Sequence, residues 1–248
     1  MPLHGLPLFE RGDDLAGAIL AALERQEIAL AEGDILVVAQ KIVSKAEGRT
    51  VDLASVSPGK RARELAETVR KPAALVQLIL DEALEVMRAV PNVLITRHRT
   101  GHVTANSGID ASNVAGGDTG TVLLWPEDPD HSARGIREAI AARSGVAVGV
   151  IVADSLGRAW RLGTIGTAIG SSGMPALDDR CGSLDLYGRP LQATWVAAID
   201  SVAAAAVLAM GEGAEGTPAA LVRGVRFTRQ ADDGADDLLR PPQEDLFR

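Results

Sequence analysis

Residues 146–153 of this chain read Val-Ala-Val-Gly-Val-Ile-Val-Ala, and Asp154 and Ser155 follow them directly. An apolar, β-branched run of this length predicts a strand that is buried on both faces. Three shorter runs of the same kind predict further buried strands, at 35–39, 93–96 and 122–124. The run at 146–153 therefore predicts a sheet inside the molecule, with polar groups where the strand ends.

Helical patterns separate these apolar runs. Apolar residues recur at helical spacing in five segments, at 13–30, 59–69, 72–90, 131–143 and 192–210. The alternation predicts a mixed α/β protein. A chain of 248 residues can bury one large core. We expect a single compact unit over 1–229 and an acidic, proline-containing surface tail over 230–248.

Composition limits the class of function. The net charge is −8 and the pI is about 5.1, which argues against nucleic-acid binding through a broad basic surface. The single cysteine, Cys181, cannot form an internal disulfide, which fits a reducing compartment. No signal core or membrane-length apolar run is visible in the sequence. We expect a cytoplasmic protein that acts on small molecules.

Three acidic residues are candidate ligands for a hard divalent cation such as Mg²⁺ or Mn²⁺. Asp110 lies in the segment Ser-Gly-Ile-Asp-Ala-Ser-Asn (107–113), Asp154 follows the clearest strand, and Glu212 lies in Met-Gly-Glu-Gly-Ala-Glu-Gly-Thr (210–217). Each has a simpler interpretation. Asp, Asn, Ser and Gly are common turn formers, and the glycines after a helix can merely end it.

Cationic residues stand close to two predicted strand ends. Lys41 and Lys45 follow the strand at 35–39, and Arg158 and Arg161 follow Asp154. Ammonium and guanidinium groups in such positions suit phosphate or carboxylate ligands. Solvated surface side chains would produce the same pattern, so the residues alone leave both interpretations open.

Four ordered segments together resemble the coenzyme F-420-0:L-glutamate ligase family, and the likeness runs from His4 almost to the end of the chain. The segments are Gly-Asp-Ile-Leu-Val-Val (33–38), Ile-Val-Ser-Lys-Ala-Glu-Gly-Arg (42–49), Gly-Ile-Asp-Ala-Ser-Asn (108–113) and Asp-Ser-Leu-Gly-Arg-Ala-Trp-Arg (154–161). The resemblance implies an α+β subunit with mixed sheets and packed helices, assembled as an intertwined homodimer.

The resemblance also implies a set of site residues. The implied catalytic residues are Asp110, Asp154 and Arg158. The implied metal ligands, for Mn²⁺ or Mg²⁺ and two ions in number, are Asp110, Asp154, Ser155 and Glu212, with K⁺ as a further candidate ion. The implied GTP-binding residues are Leu6, Pro7, Leu8, Phe9, Gln40, Lys41, Lys45, Asn113, Met210, Gly211, Glu212, Gly213, Ala214, Glu215, Gly216 and Thr217.

The activity that the resemblance implies is GTP-dependent addition of one or more L-glutamates to a deazaflavin precursor through an acyl phosphate. Residues 162–170 lack the Asn-Gly and Thr-Asp pairs of many relatives, which leaves deazaflavin recognition unassigned. Some relatives continue into a reductase domain, so the chain is a stand-alone ligase or part of a longer one. The alternatives are a non-catalytic nucleotide-binding homologue, a ligase for a variant precursor, and a dinucleotide-dependent oxidoreductase suggested by glycine-rich turns at 163–170. The oxidoreductase lacks support from a Gly-x-Gly-x-x-Gly fingerprint.

Overall fold

The computed structural model describes residues 1–226 and 234–245. Its α-helices are α1 Leu15–Arg25, α2 Gln40–Ala46, α3 Lys60–Val69, α4 Ala73–Asp81, α5 Pro129–Ser144 and α6 Ala198–Met210. Its strands are β1 Ile35–Ala39, β2 Thr50–Asp52, β3 Ala83–Val90, β4 Val93–His98, β5 Val103–Ala105, β6 Thr121–Leu123, β7 Gly149–Arg158, β8 Arg161–Ser172, β9 Leu177–Asp179, β10 Trp195–Ala197 and β11 Ala219–Val222. The mixture of helices with several sheets confirms the α+β prediction.

The largest sheet has the strand order β11-β1-β7-β8, with β1 and β7 parallel and the other pairs antiparallel. Alternate residues of β7 enter two different cores. Val150 and Val152 pack with α1 and α5 in a first core on one face, whereas Ile151 and Ala153 pack with α6 in a second core on the other. Because both faces are covered, the strand has to be apolar at successive positions. This burial explains the run at 146–153 and confirms the predicted buried strand.

A second, smaller layer carries the loops that approach this sheet. It contains the sheets β3-β4-β5 and β2-β6, together with α3 and α4. A third core cluster fills it, including Val69, Val76, Ile79, Leu94 and Val122. Asp110 extends this layer because its N–H and C=O both pair with Leu123 of β6, at 3.1 and 2.8 Å. The Asp110 loop is thereby anchored to a strand and held in place.

The predicted single helix at 72–90 is wrong. The chain forms α4 to Asp81 and then β3, which pairs antiparallel with β4. Pro91 and Asn92 make the connecting turn, and Asn92 has the positive φ (67°) that tight turns require. Alanine, leucine and glutamate favoured the helix locally, but pairing with β4 overrides that preference.

Two further predictions about the sheet are corrected. Asp154 and Ser155 lie inside β7, which continues past them through the buried Leu156 to the exposed Gly157 and Arg158 instead of ending at them. The glycine-rich segment 163–170 belongs to strand β8 and is not a set of turns. Its glycines permit close packing, since a Cβ on Gly166 would lie 2.6 Å from Val207 and one on Gly170 would lie 2.3 Å from the Pro129 backbone.

The remaining boundaries differ by a few residues. Helix α1 ends at Arg25, before the predicted end at residue 30, and α6 begins at Ala198 because Trp195–Ala197 pair with β9. Part of the predicted tail, 230–233 and 246–248, lies outside the described residues. Within the described part, Ala235 is buried and its N–H donates to Asp130 (2.8 Å). No described helix is long and apolar enough to span a bilayer.

Candidate functional site

The site begins where β7 leaves the core. Asp154 is the first residue after the fully buried part of the strand. Its Oδ2 accepts a hydrogen bond from Trp125 Nε1 (2.8 Å), and its Oδ1 accepts one from the Ser155 N–H (2.8 Å). Both donors are neutral. Burial raises the pKa of Asp154 to about 6, and these two bonds oppose it only in part.

Asp110 faces the same region from the second layer. Its Oδ2 accepts from Lys41 Nζ (2.5 Å) and from Ser112 Oγ (2.7 Å), and its Oδ1 accepts from the Ser112 N–H (2.9 Å). Burial alone would raise the pKa of Asp110, but the bonds from Lys41 and Ser112 outweigh it, so the pKa lies below its ordinary value. The negative charge of Asp110 also contributes to the raised pKa of Asp154. The two carboxylates therefore influence each other across the site.

The glycine-rich loop 210–217, which follows α6, reaches Ser155 in the second half of β7. Ser155 Oγ donates to the carboxylate of Glu212, lying 2.7 Å from each oxygen. Asn113 Nδ2 donates to the Gly213 carbonyl (3.2 Å), which joins this loop to the Asp110 loop. Glu215 folds back on its own loop and accepts from the Gly213 N–H (2.7 Å). Segments 57 and 100 residues apart in sequence thus meet at one place.

Helix α2 supplies two ammonium groups to this place. Lys41 bonds Asp110 and also Ser112 Oγ (2.5 Å), while Lys45 Nζ donates to the Asn113 carbonyl (2.6 Å). The two lysines are one helical turn apart and face the same loop. Burial lowers the pKa of Lys45, and the charge of Lys41 lowers it further. A ligand with dense negative charge would relieve this repulsion.

Gln40, at the start of α2, is almost fully buried. Its Oε1 accepts from Ser44 Oγ (2.9 Å), whereas its Nε2 has no hydrogen-bond partner within 1–226 and 234–245. A buried amide N–H without a partner costs stability unless a ligand or water satisfies it. Gln40 therefore suits the edge of a binding site better than a core position.

Segment 6–9 and Arg158, which were also predicted, make no hydrogen bond to Asp110 or Asp154 in the described part of the chain. Within the predicted segment 6–9, Phe9 is buried in the first core and Leu8 is 93% exposed. The Gly12 N–H donates to Ala46 O (2.8 Å), which places this segment beside α2. Arg158 is exposed and pairs with Arg161 at the end of the β7–β8 hairpin. Four residues of strand, about 13 Å, separate Arg158 from Asp154.

The loop 210–217 was predicted as a whole, and its members have different roles. Met210 is buried in the second core, and Thr217 donates to the Met210 carbonyl, so these two residues shape the loop. Gly211 has a positive φ (85°) and ends α6. The polar groups that face the site are Glu212 and the Gly213 carbonyl. Ala214 and Gly216 have no polar side-chain atom that could bind a ligand.

Sequence reasoning missed Trp125. It is fully buried and supplies the one side-chain hydrogen bond to Asp154 that the described residues show. The only signal was its position, directly after the predicted strand at 122–124. An aromatic residue there is normally a core residue, so its N–H gave no reason to select it.

The predicted metal ligands have the chemistry that a hard cation requires, because all four carry oxygen donors. They are not a ready-made cage. No group of three or more His, Cys, Asp or Glu residues in the described part of the chain is arranged to hold a metal. Lys41 contacts Asp110 and Ser155 contacts Glu212 instead. The donor set fits Mg²⁺ or Mn²⁺, provided that these hydrogen bonds yield to the ion and that ligand oxygens or water complete the coordination.

The chain is similar to one family of proteins over nearly its whole length. The family model described as F420-0:Gamma-glutamyl ligase matches residues 5–224. The coenzyme F420:L-glutamate ligase of Methanothermobacter thermautotrophicus is 42% identical over 247 residues, covering 99% of this chain and 97% of that protein. The ligase of the same name from Methanopyrus kandleri is 45% identical over 240 residues, covering 96% of this chain and 92% of that protein.

Proposed function

The chain belongs to the F420-0:gamma-glutamyl ligase family, and from this we propose that it joins L-glutamate to the phospholactate-type end of coenzyme F-420-0 at the expense of GTP. We propose one or more additions, γ-linked after the first. One observation carries the proposal. Two carboxylates, Asp110 and Asp154, and two lysines of α2, Lys41 and Lys45, come together from three separate segments, each at a position that the family resemblance implied.

We propose two chemical steps. A carboxylate oxygen of the precursor attacks the γ-phosphorus of GTP, the bond to the bridging oxygen breaks, and GDP leaves. The amine of L-glutamate then attacks the acyl carbon of the resulting acyl phosphate, phosphate leaves with the bonding pair, and the nitrogen gives up a proton. The product is an amide. Such steps depend on alignment and on neutralising phosphate oxygens more than on covalent catalysis.

The chain's own residues account for this need. Asp110, Asp154, Ser155 and Glu212 would hold two Mg²⁺ or Mn²⁺ ions, which neutralise phosphate oxygens when bound. Lys41 and Lys45 donate to the phosphates, and the lowered pKa of Lys45 indicates an ammonium that gains from an anionic partner. Asn113 and the 210–217 loop contact the nucleotide. Arg158 receives an anionic group of the precursor, and K⁺ is a further candidate ion.

A homodimer accompanies this proposal. The β7–β8 hairpin exposes large apolar side chains, with Trp160 80% exposed and Leu162 fully exposed. Leu186 and Tyr187, in the excursion between β9 and β10, are similarly open. Apolar side chains projected this far normally pack against another surface. Sedimentation equilibrium of the purified protein tests the dimer, and a strictly monomeric species would remove it.

The decisive experiment is mass spectrometry of the deazaflavin product. Purified protein is incubated with the glutamate-free precursor, L-glutamate, GTP and Mn²⁺, and GDP release is followed in parallel. We expect products heavier by whole glutamyl units, formed only with GTP, with about one GDP released per unit. A reaction with GDP in place of GTP is the control. GTP binding without any mass shift would contradict ligation and support a non-catalytic nucleotide-binding protein or a variant precursor.

A further inference from the structure

Trp125 lies directly behind the proposed site and is not among the residues that the family resemblance implied. It follows β6, has no solvent exposure, and donates its indole N–H to Asp154 Oδ2 at 2.8 Å. A buried indole N–H needs an acceptor, and here a carboxylate of the site provides it. This one hydrogen bond therefore satisfies the buried indole N–H and holds one oxygen of the carboxylate.

The surrounding residues fix the orientation of this indole. The His98 ring lies 4.9 Å from it, centroid to centroid, and the His102 ring meets it edge-on at 5.7 Å. Arg49 Nε donates to the Trp125 carbonyl (2.8 Å), which holds the backbone. Held on two ring contacts and a backbone bond, the indole cannot change rotamer without moving the core.

The same indole also supports the Asp110 loop. A Cβ on Gly108 would lie 2.2 Å from Trp125 Cε2 and 2.3 Å from its Nε1. The Gly108 backbone therefore packs directly on the ring, two residues before Asp110. Glycine is required here for this close approach and for its positive φ (70°). One side chain thus contacts the segments that carry two of the site's carboxylates, Asp154 and Asp110.

We propose that Trp125 is a positioning residue that fixes the Asp154 carboxylate for cation binding and sets its spacing from the Asp110 loop. The inference rests on the proposed function, in which Asp154 is a metal ligand. An indole N–H is a donor only, so it orients the carboxylate without competing for the cation. With one hydrogen bond on each oxygen, Asp154 keeps lone pairs free for an ion. Groups that orient metal ligands in this way typically contribute about 10–100-fold in affinity or activity.

The test is Trp125→Phe, which keeps an aromatic ring and removes the N–H. The matched control is Trp195→Phe, because Trp195 is 67% exposed and its side chain hydrogen-bonds a different carboxylate, that of Asp179. We expect Mn²⁺ affinity in the presence of GTP and kcat to fall about 10–100-fold in Trp125→Phe, with KM for GTP changed less than about threefold. The control should match the wild type in Mn²⁺ affinity, in kcat and in KM for GTP.

A purely structural role would give a different result. Partial unfolding would lower kcat and the number of binding sites together, but it would leave the Mn²⁺ affinity of the folded fraction unchanged. Thermal unfolding of both variants identifies that case. Unchanged affinity and kcat in a folded Trp125→Phe protein would overturn the positioning role and leave the proposed function standing.

A measurement on the wild-type protein avoids any folding defect. The chain has three tryptophans, so ¹⁵N labelling gives three indole N–H signals, which the exposed-site variant Trp195→Phe helps to assign. With GTP present, Mn²⁺ should broaden the Trp125 signal at substoichiometric concentration and spare the Trp195 signal. Mn²⁺ binding that leaves the Trp125 signal sharp would place the ion away from Asp154, which overturns the inference and the assignment of Asp154 as a metal ligand but leaves the proposed ligase activity standing. A wild-type protein that binds no Mn²⁺ would overturn the metal assignment in the proposed function and the inference with it.

Discussion

Glu82 and Asp154 are carboxylates that bond to two contacting rings, those of His98 and Trp125, and their electrostatic environments are opposite. The Glu82 side chain is 12% exposed and contacts Arg49 (2.9 Å), Arg99 (3.0 Å) and His98 (3.3 Å). Burial alone would raise the pKa of Glu82, but His98 and the two guanidinium groups outweigh it and lower the pKa to about 2. Among the described residues, Asp154 accepts hydrogen bonds from two neutral N–H donors, and burial raises its pKa to about 6 although the charge of Lys41 lowers it in part.

This contrast distinguishes a carboxylate that stabilises the fold from one that the proposed function uses. The charge of Glu82 is balanced within the chain, so this residue ties α4 to the segments that carry Arg49 and Arg99. The charge of Asp154 is not balanced in this way, which disfavours the folded state unless a cation arrives. Functional sites commonly contain groups that reduce stability in this way. His98 contacts Glu82 and also packs on Trp125, so the two environments are adjacent and remain distinct.

The largest expected effect is on activity. Asp154→Asn should reduce turnover by at least about 10³-fold, roughly 4 kcal/mol, because the proposed anionic ligand is lost. The carboxamide has nearly the same shape but one acceptor oxygen, so it keeps one of the two hydrogen bonds from Trp125 and Ser155. Stability at neutral pH should change little, because the loss of one buried hydrogen bond and the removal of a buried charge oppose each other. Steady-state kinetics and calorimetry of Mn²⁺-supported GTP binding check this, with Asp185→Asn, in the excursion between β9 and β10, as control. Normal binding and turnover in Asp154→Asn would sink the metal assignment.

The opposite result is expected at Glu82. Glu82→Gln leaves Arg49 and Arg99 without their partner, and since both are partly exposed we expect a loss of about 2–3 kcal/mol in the free energy of unfolding. The melting temperature should fall by about 5–10 °C. Activity of the folded protein should remain. The control is Glu64→Gln, whose partner Lys60 is 91% exposed at 3.8 Å and whose loss should change little.

The pH dependence of stability should differ in sign between the two carboxylates. Glu82 has a pKa of about 2 in the folded state and 4.5 ordinarily, so its contribution is complete above pH 4.5 and is lost as pH falls toward 2. Asp154 has a pKa of about 6 against 3.8, so its cost appears as pH rises from 3.8 to 6. Urea unfolding from pH 3 to 8 should show the stability difference between the two proteins moving by about 3 kcal/mol in favour of Asp154→Asn. Parallel curves for the two proteins would contradict the raised pKa.

The smallest expected effect is on GTP binding and concerns the cationic side chain of Lys45. Lys45 is partly buried beside Lys41 and bonds only a carbonyl among the described residues. Lys45→Ala should weaken GTP binding about tenfold, roughly 1.4 kcal/mol, with stability unchanged or slightly higher. Isothermal titration with GTP measures this, and Lys60→Ala on the exposed face of α3 is the control. A destabilised Lys45→Ala protein with normal GTP affinity would assign Lys45 to the fold.

Local sequence was enough where a single segment determines the outcome. The apolar runs at 35–39 and 146–153 specified buried strands because a strand covered on both faces must be apolar at every position. It failed at 72–90, where helix-favouring residues enter a sheet through pairing with β4. It also missed the continuation of β7 through Asp154, which depends on pairing with β8.

The site shows the same division. The sequence itself determined which residue types could bind a nucleotide and a cation, and its ordered motifs indicated which of them to expect together. Tertiary structure alone decided that Lys41 pairs with Asp110 across 69 residues, that Trp125 bonds Asp154, and that Glu82 is balanced while Asp154 is not. The physical reason is that charge balance depends on distance and burial, and both arise only when segments far apart in the chain pack against each other.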